Sequence, residues 1–203
     1  GPAGRRRAVL YGEALVRTGQ LEEGKAAIDG FLQGSWAKPG RIAEEGGGDP
    51  TEARWWRAVA HQRGPDTPQE IAALRALWTH HPEASRTEDA VARLAELEAP
   101  VPDFESDEGR SLVLKRIATL EGIYDFAGSL ALREKLPAPK TDDERRGLAY
   151  AVYKTKDYAR ATKLYDGLSR PLAGDRFKQA VCATRTGDYP KATAIYRDIV
   201  ATF

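Results

Sequence analysis

Apolar residues recur along this chain in steps of three and four, and the stripes they form open directly after polar helix-start signals. Asp49-Pro50-Thr51-Glu52, Thr67-Pro68-Gln69-Glu70, Ser85-Arg86-Thr87-Glu88 and Thr141-Asp142-Asp143-Glu144 each set a capping side chain three residues before a carboxylate. Two of the four carry proline in the first helical turn, where its missing N–H costs nothing. Ile71, Leu74, Leu77 and Trp78 follow the second signal, and Val91, Leu94 and Leu97 follow the third. One-sided stripes of this kind predict helices that pack sideways on one another. No turn dipeptide stands between alternating β-branched runs, so strand signals are almost absent.

Near the C-terminus the pattern repeats. Tyr158, Ala161, Tyr165 and Leu168 return as Tyr189, Ala192, Tyr196 and Ile199, offset by 31 residues at every position. Each copy follows a polar turn, Lys156-Asp157 or Gly187-Asp188, and an Ala-rich helix around Ala149 or Ala180. Small side chains let two antiparallel helices approach, and tyrosines and aliphatics fill the space to the next pair. The predicted unit is a helix-turn-helix hairpin. Weaker copies are read at Gly12, Leu15, Gly19, Gly24 and Ile28, at Tyr124 with Ala127, and around Glu70, where a carboxylate stands in the small site. This pattern resembles the tetratricopeptide repeat, chiefly through the Gly12/Gly24 and Ala161/Ala192 positions. The uneven spacing of the small sites predicts an all-α fold, an irregular α-solenoid or superhelix of tetratricopeptide-like helix-turn-helix hairpins. Residues 5–203 read as one helical domain, with a long loop at 34–50 holding Trp36, Pro39 and Gly46-Gly47-Gly48. Ala99-Pro100-Val101-Pro102 and Pro137-Ala138-Pro139 read as stiff breaks between helices.

Composition narrows the classes of partner. Across 203 residues, 31 Lys and Arg face 30 Asp and Glu, so a nucleic-acid groove is not expected. Hydrophobic residues make up 41% of the chain, enough for a core, while a mean hydropathy of -0.53 leaves much of the surface wet. No apolar run approaches the roughly 18 residues of a membrane span, and membrane insertion is not expected. The single cysteine, Cys182, excludes an intrachain disulfide. With no methionine and a Gly1-Pro2 start, residues 1–4 read as a cloning scar on an excised fragment.

Candidate chemistry is sparse. Gly46-Gly47-Gly48-Asp49 precedes a helix but lacks the Lys-Ser/Thr of a phosphate loop, so it reads as plain loop. His80 and His81 are adjacent and diverge by about 100° on a helix, which does not suit a shared metal; with His61 they read as helix-end residues. Cys182 reads as a small packing residue, Glu70 as the capping partner of Thr67, and Arg5-Arg6-Arg7 as a solvated helix start. No cofactor, metal or catalytic residue is expected. Trp55 and Trp56 are the candidate partner-binding residues, because neighbouring helical side chains cannot share a face and one indole must leave the stripe. The competing reading makes both core residues, and it makes Tyr158, Tyr165, Tyr189 and Tyr196 repeat-packing residues.

From Trp55 to Phe203 the helix pairs look like the non-catalytic superhelical region of soluble lytic transglycosylases. The likeness is carried by Trp55-Trp56-Arg57-Ala58-Val59-Ala60, by Ala72-Ala73-Leu74-Arg75-Ala76-Leu77-Trp78 through His81-Pro82, and by Thr186-Gly187-Asp188-Tyr189-Pro190-Lys191-Ala192 with Ile195-Tyr196. Those enzymes cleave peptidoglycan with a glutamate in a lysozyme-like domain that follows the solenoid. Glu105-Ser106 lacks the methionine-containing motif expected after that glutamate, so no catalytic residue carries over. The resemblance implies a non-catalytic scaffold of a periplasmic or cell-envelope protein that meets a protein, a peptide or peptidoglycan. The alternative is a tetratricopeptide-type adaptor for a protein partner, unrelated to the wall.

Overall fold

Two of the four helix-start signals act as read. Asp49 accepts the Thr51 backbone N–H at 2.7 Å and Pro50 opens the helix Pro50–Arg63. Thr141 accepts the Glu144 N–H at 3.2 Å and opens Asp142–Lys154. The other two are corrected by one or two residues. Asp66, not Thr67, caps Thr67–His80, which leaves Glu70 free to pair elsewhere. Ala84 occupies the cap position before Ser85–Glu96 with no side-chain bond, and Thr87 instead donates its hydroxyl to the His81 carbonyl.

The computed structural model describes residues 2–34, 48–82, 84–99, 101, 104, 106–139 and 141–202. Most of the 34–50 loop, Glu105 of the Glu105-Ser106 pair and Pro100 and Pro102 lie outside them. Among the described residues there are eleven helices and no strand: α1 (Pro2–Arg17), α2 (Leu21–Leu32), α3 (Pro50–Arg63), α4 (Thr67–His80), α5 (Ser85–Glu96), α6 (Asp107–Gly122), α7 (Phe126–Lys135), α8 (Asp142–Lys154), α9 (Tyr158–Asp166), α10 (Ala173–Arg185) and α11 (Tyr189–Thr202). The all-α fold class of antiparallel hairpins is therefore the one expected. The sequence reading treats 5–203 as one domain; the helices group into two compact units, Gly1–Ile123 and Tyr124–Phe203.

One turn design recurs. Gly19, Lys156 and Gly187 have φ of 85°, 69° and 81°, and the next residue's N–H returns to a carbonyl five residues back. Those bonds are Gln20 to Leu15 at 2.9 Å, Asp157 to Val152 at 3.2 Å and Asp188 to Ala183 at 2.9 Å. Left-handed backbone after the last helical turn satisfies orphan carbonyls and reverses the chain. The following aspartate then caps the second helix: Asp157 accepts the Arg160 N–H and Asp188 the Lys191 N–H, both at 3.1 Å. Tyr124, at φ 65°, and Asp125, which accepts the Gly128 N–H at 2.9 Å, share the left-handed residue and the aspartate cap.

That alignment corrects the sequence register in the middle of the chain. Tyr124 matches the turn residue Lys156, not Tyr158; Phe126 is the aromatic after the cap, and Ser129 is the fully buried small residue. Ala127 faces solvent.

Unit 1 stacks α1 on α2, α2 on α3, α3 on α4, and sets α5 and α6 against α4. Gly12 and Gly24 meet where α1 crosses α2: a Cβ on Gly24 would lie 3.3 Å from the Gly12 carbonyl oxygen, and one on Gly12 2.6 Å from Ile28 Cγ1. Val9, Val16, Ile28, Phe31, Ala53, Trp56 and Ala60 form one core cluster, and Leu74, Leu77, Leu94 and three alanines of α3–α5 form the next. Unit 2 runs α7, α8, α9, α10, α11, each packed on the one before. Its core is slimmer: Ala149, Val152, Ala161, Tyr165, Leu168 and Cys182.

Candidate functional site

The sequence candidates fall in unit 1 and turn inward. Trp56 is buried in the first core cluster, with the Arg17 guanidinium 4.6 Å above its ring. Trp55 is half-buried where both clusters meet, covered by Arg86 at 5.1 Å. Arg86 is itself held by Glu52 at 2.7 Å and Asp89 at 3.0 Å. One indole does leave the stripe, as adjacency on a helix requires, but an arginine lies over its face.

Glu70 is buried, 3% exposed, and its Oε1 accepts Arg93 Nε of α5 at 2.7 Å. It occupies the position that is glycine, serine or alanine in the other hairpins, four residues after the cap, and it ties α4 to α5. The expected return to Thr67 is replaced by this pair. His81 is buried, and its Nε2 accepts Arg54 Nε at 3.0 Å. Burial, then the Arg54 charge, lowers both His80 and His81 to about 4, so both are neutral at pH 7. His61 is buried beside Asp66, Nδ1 to Oδ2 at 3.4 Å. Among the described residues no group of three His, Cys, Asp or Glu is placed to hold a metal ion, and no helix is long and apolar enough to cross a membrane. Cys182 is fully buried and packs as expected; burial pushes its thiol pKa up.

Unit 2 carries what the sequence reading missed. Five aromatic rings form a continuous run across α7, α8 and α9. Tyr124 meets Phe126 at 6.4 Å, and Phe126 meets Tyr150 edge-on at 5.6 Å. Tyr150 stacks on Tyr153 at 6.2 Å, and Tyr153 meets Tyr158 at 6.1 Å. The core takes one side of Tyr153 and Tyr158. Phe126 and Tyr150 are half-buried, and Tyr124 is exposed. The rings are fixed by local rules: Phe126 and Tyr158 follow the aspartate caps, Tyr150 and Tyr153 lie one helical turn apart.

Two ammonium groups sit on this run. Lys154 Nζ lies 4.6 Å from the Phe126 ring centre and 5.9 Å from that of Tyr150, and Lys178 Nζ of α10 approaches Tyr150 at 5.5 Å. Cation–π contact positions an ammonium without cancelling its charge. No carboxylate among the described residues pairs with either lysine. The acids nearby have other tasks: Asp175 is buried on Arg146 at 2.7 Å, Asp143 also meets Arg146, and Asp125 and Asp157 cap helices. Beneath the run the Tyr165 hydroxyl is buried with no hydrogen-bond partner. Burial, then Cys182, raises its pKa.

The repeat-packing reading of the tyrosines holds in part. Tyr165 is 2% exposed, whereas its repeat equivalent Tyr196 is 37% exposed and touches the exposed Phe177 ring. Tyr158 is half-buried and Tyr189 points largely to solvent.

No family model matches the chain, and no curated protein matches it. Among solved structures it is similar to a putative kinesin light chain from Podosopora anserina with nearly identical TPR-like repeats, at 12% identity and a TM-score of 0.42, covering 99% of this chain and 95% of that one. It is also similar to pilF of Pseudomonas aeruginosa, at 16% identity and a TM-score of 0.42, covering 98% and 91% of the two chains.

Proposed function

We propose that this chain is a non-catalytic helical scaffold that binds a protein segment, and that the aromatic face of unit 2 is where the segment lies. One observation carries the reading: the run Tyr124, Phe126, Tyr150, Tyr153 and Tyr158 leaves ring surface in solvent on three successive helices while two lysines stand over it. Tyrosine supplies a large, stiff contact at little entropic cost, with a hydroxyl for hydrogen bonding. Rings spread over neighbouring hairpins suit an extended or helical peptide better than a small molecule, which calls for a concave pocket. The adaptor reading is therefore preferred to the wall-associated one. Peptidoglycan binding and a cell-envelope setting rest on the sequence resemblance alone.

Selection of random displayed peptides on the purified chain tests this. The expected result is a recovered set whose binding falls by about tenfold or more on Tyr150→Ala, the loss of one central aromatic anchor. Recovery of no peptide, together with sedimentation of the chain on purified peptidoglycan, would overturn the proposal in favour of the wall-associated scaffold.

A further inference from the structure

The two lysines say more about the segment than the rings do. Elsewhere in unit 2 most cations near a carboxylate use it: Arg146 takes Asp143 and Asp175, Arg160 takes Glu134 at 2.6 Å, Arg176 takes Asp198 at 3.2 Å and Lys191 takes Asp166 at 2.8 Å. Lys154 and Lys178 come from different helices, yet both converge on the Tyr150 ring. Lys178 Nζ also donates to the Gly174 carbonyl at 3.2 Å, which steadies it on its own helix. Each ammonium is thus placed by a ring and not by a carboxylate among the described residues. Two like charges gathered around the Tyr150 ring raise the local positive potential there, which favours an anionic ligand.

Resting on the interaction-scaffold reading, we infer that the segment bound across Phe126 and Tyr150 is acidic, an Asp- or Glu-bearing peptide whose carboxylates meet Lys154 and Lys178 while its apolar side chains lie on the rings. The pairing is charge complementarity on an apolar platform: the rings give contact area, and the lysines give register and speed of encounter. Both lysines stand at the surface, so the contribution is sensitive to salt and moderate in size.

The test uses the full chain, the double variant K154E/K178E and the control K163E, whose exposed lysine on α9 makes none of the ring contacts seen for Lys154 and Lys178. Random peptides displayed on phage are selected on each protein. Peptides recovered by the native chain and by K163E are expected to be enriched in Asp and Glu over the starting library, and K154E/K178E is expected to lose that enrichment. For individual recovered peptides, K154E/K178E should weaken binding by about tenfold, and K154Q/K178Q by less. Helical circular dichroism unchanged from the native chain shows that the variants fold. A recovered set of neutral or basic composition, or acidic enrichment that survives K154E/K178E, overturns the acidic assignment and leaves the scaffold reading standing. Recovery of no peptide at all overturns both.

Discussion

The two units spend the same side chains in opposite ways. In unit 1 each tryptophan of the described helices lies under an arginine: Arg17 closes over Trp56, Arg86 over Trp55 and Arg116 over Trp78. Arg86 and Arg93 in addition tie one helix to another through Glu52 and Glu70. In unit 2 the aromatic run stands at the edge of a slimmer core, and no carboxylate among the described residues pairs with its two lysines. The first arrangement uses its arginines to cover rings and tie helices; the second leaves two lysines with no carboxylate partner among the described residues. On the proposed reading, a hairpin stack is stable in one part and receptive in another without any change of fold.

Spectroscopy can read the two units apart, because Trp36, Trp55, Trp56 and Trp78 all belong to unit 1, while every tyrosine except Tyr11 belongs to unit 2. The largest expected effect breaks unit 1. Leu77→Ala empties a fully buried site between α4 and its neighbours and should cost about 2–5 kcal/mol, seen as a lower urea midpoint in tryptophan fluorescence. Overpacking unit 2 comes next. Ala161→Leu, at a fully buried contact with α8, should cost about 1–3 kcal/mol, with the tyrosine signal moving and the tryptophan signal staying.

Acid should separate the units further. His80 and His81 are held near 4 in the folded chain by burial and Arg54, below the ordinary value of 6.5. Between pH 6.5 and 4 the unfolded chain therefore binds protons that the folded chain refuses, so stability falls as pH drops through 6.5 and levels off near 4. The buried His81 should account for about 1–3 kcal/mol of that loss. All three histidines lie in unit 1, so the acid shift belongs to the tryptophan transition, and His81→Gln should flatten it. The smallest effects sit at the turns. Lys156→Gly relieves a left-handed backbone and should stabilise unit 2 by up to about 1 kcal/mol, and Gly187→Ala should do the reverse. Both are checked by thermal melts.

Much of the fold was legible because capping and small-residue contacts are local. Asp49, Thr141 and the Ala161/Ala192 offset needed only spacing, and the structure keeps them. The misreadings have local causes too. Tyr124 takes a left-handed turn position that glycine usually fills, so its distance to Ala127 imitated the Tyr158/Ala161 spacing and shifted the hairpin by two residues. Glu70 lost its capping role because Asp66 stands one residue earlier, and its partner Arg93 lies on another helix, beyond the reach of any pattern within α4. The adjacency argument at Trp55 and Trp56 correctly separated the two rings, but the cover supplied by Arg86 comes from α5. The aromatic face was hidden for the same reason. Phe126, Tyr150 and Lys178 sit on three helices, and periodicity along one helix says nothing about which rings meet across them. Tyr150 and Lys154, four apart on α8, were the one signal in plain sight.

The most direct test of a proposed receptive unit 2, against a unit 1 whose tryptophans are covered by arginines, is an amide chemical-shift map of the full chain titrated with a selected acidic peptide. Shifts concentrated at Tyr124, Phe126, Tyr150, Tyr153, Lys154, Tyr158 and Lys178 are predicted. Shifts concentrated around Trp55 and Arg86, with the aromatic run unmoved, would contradict the account.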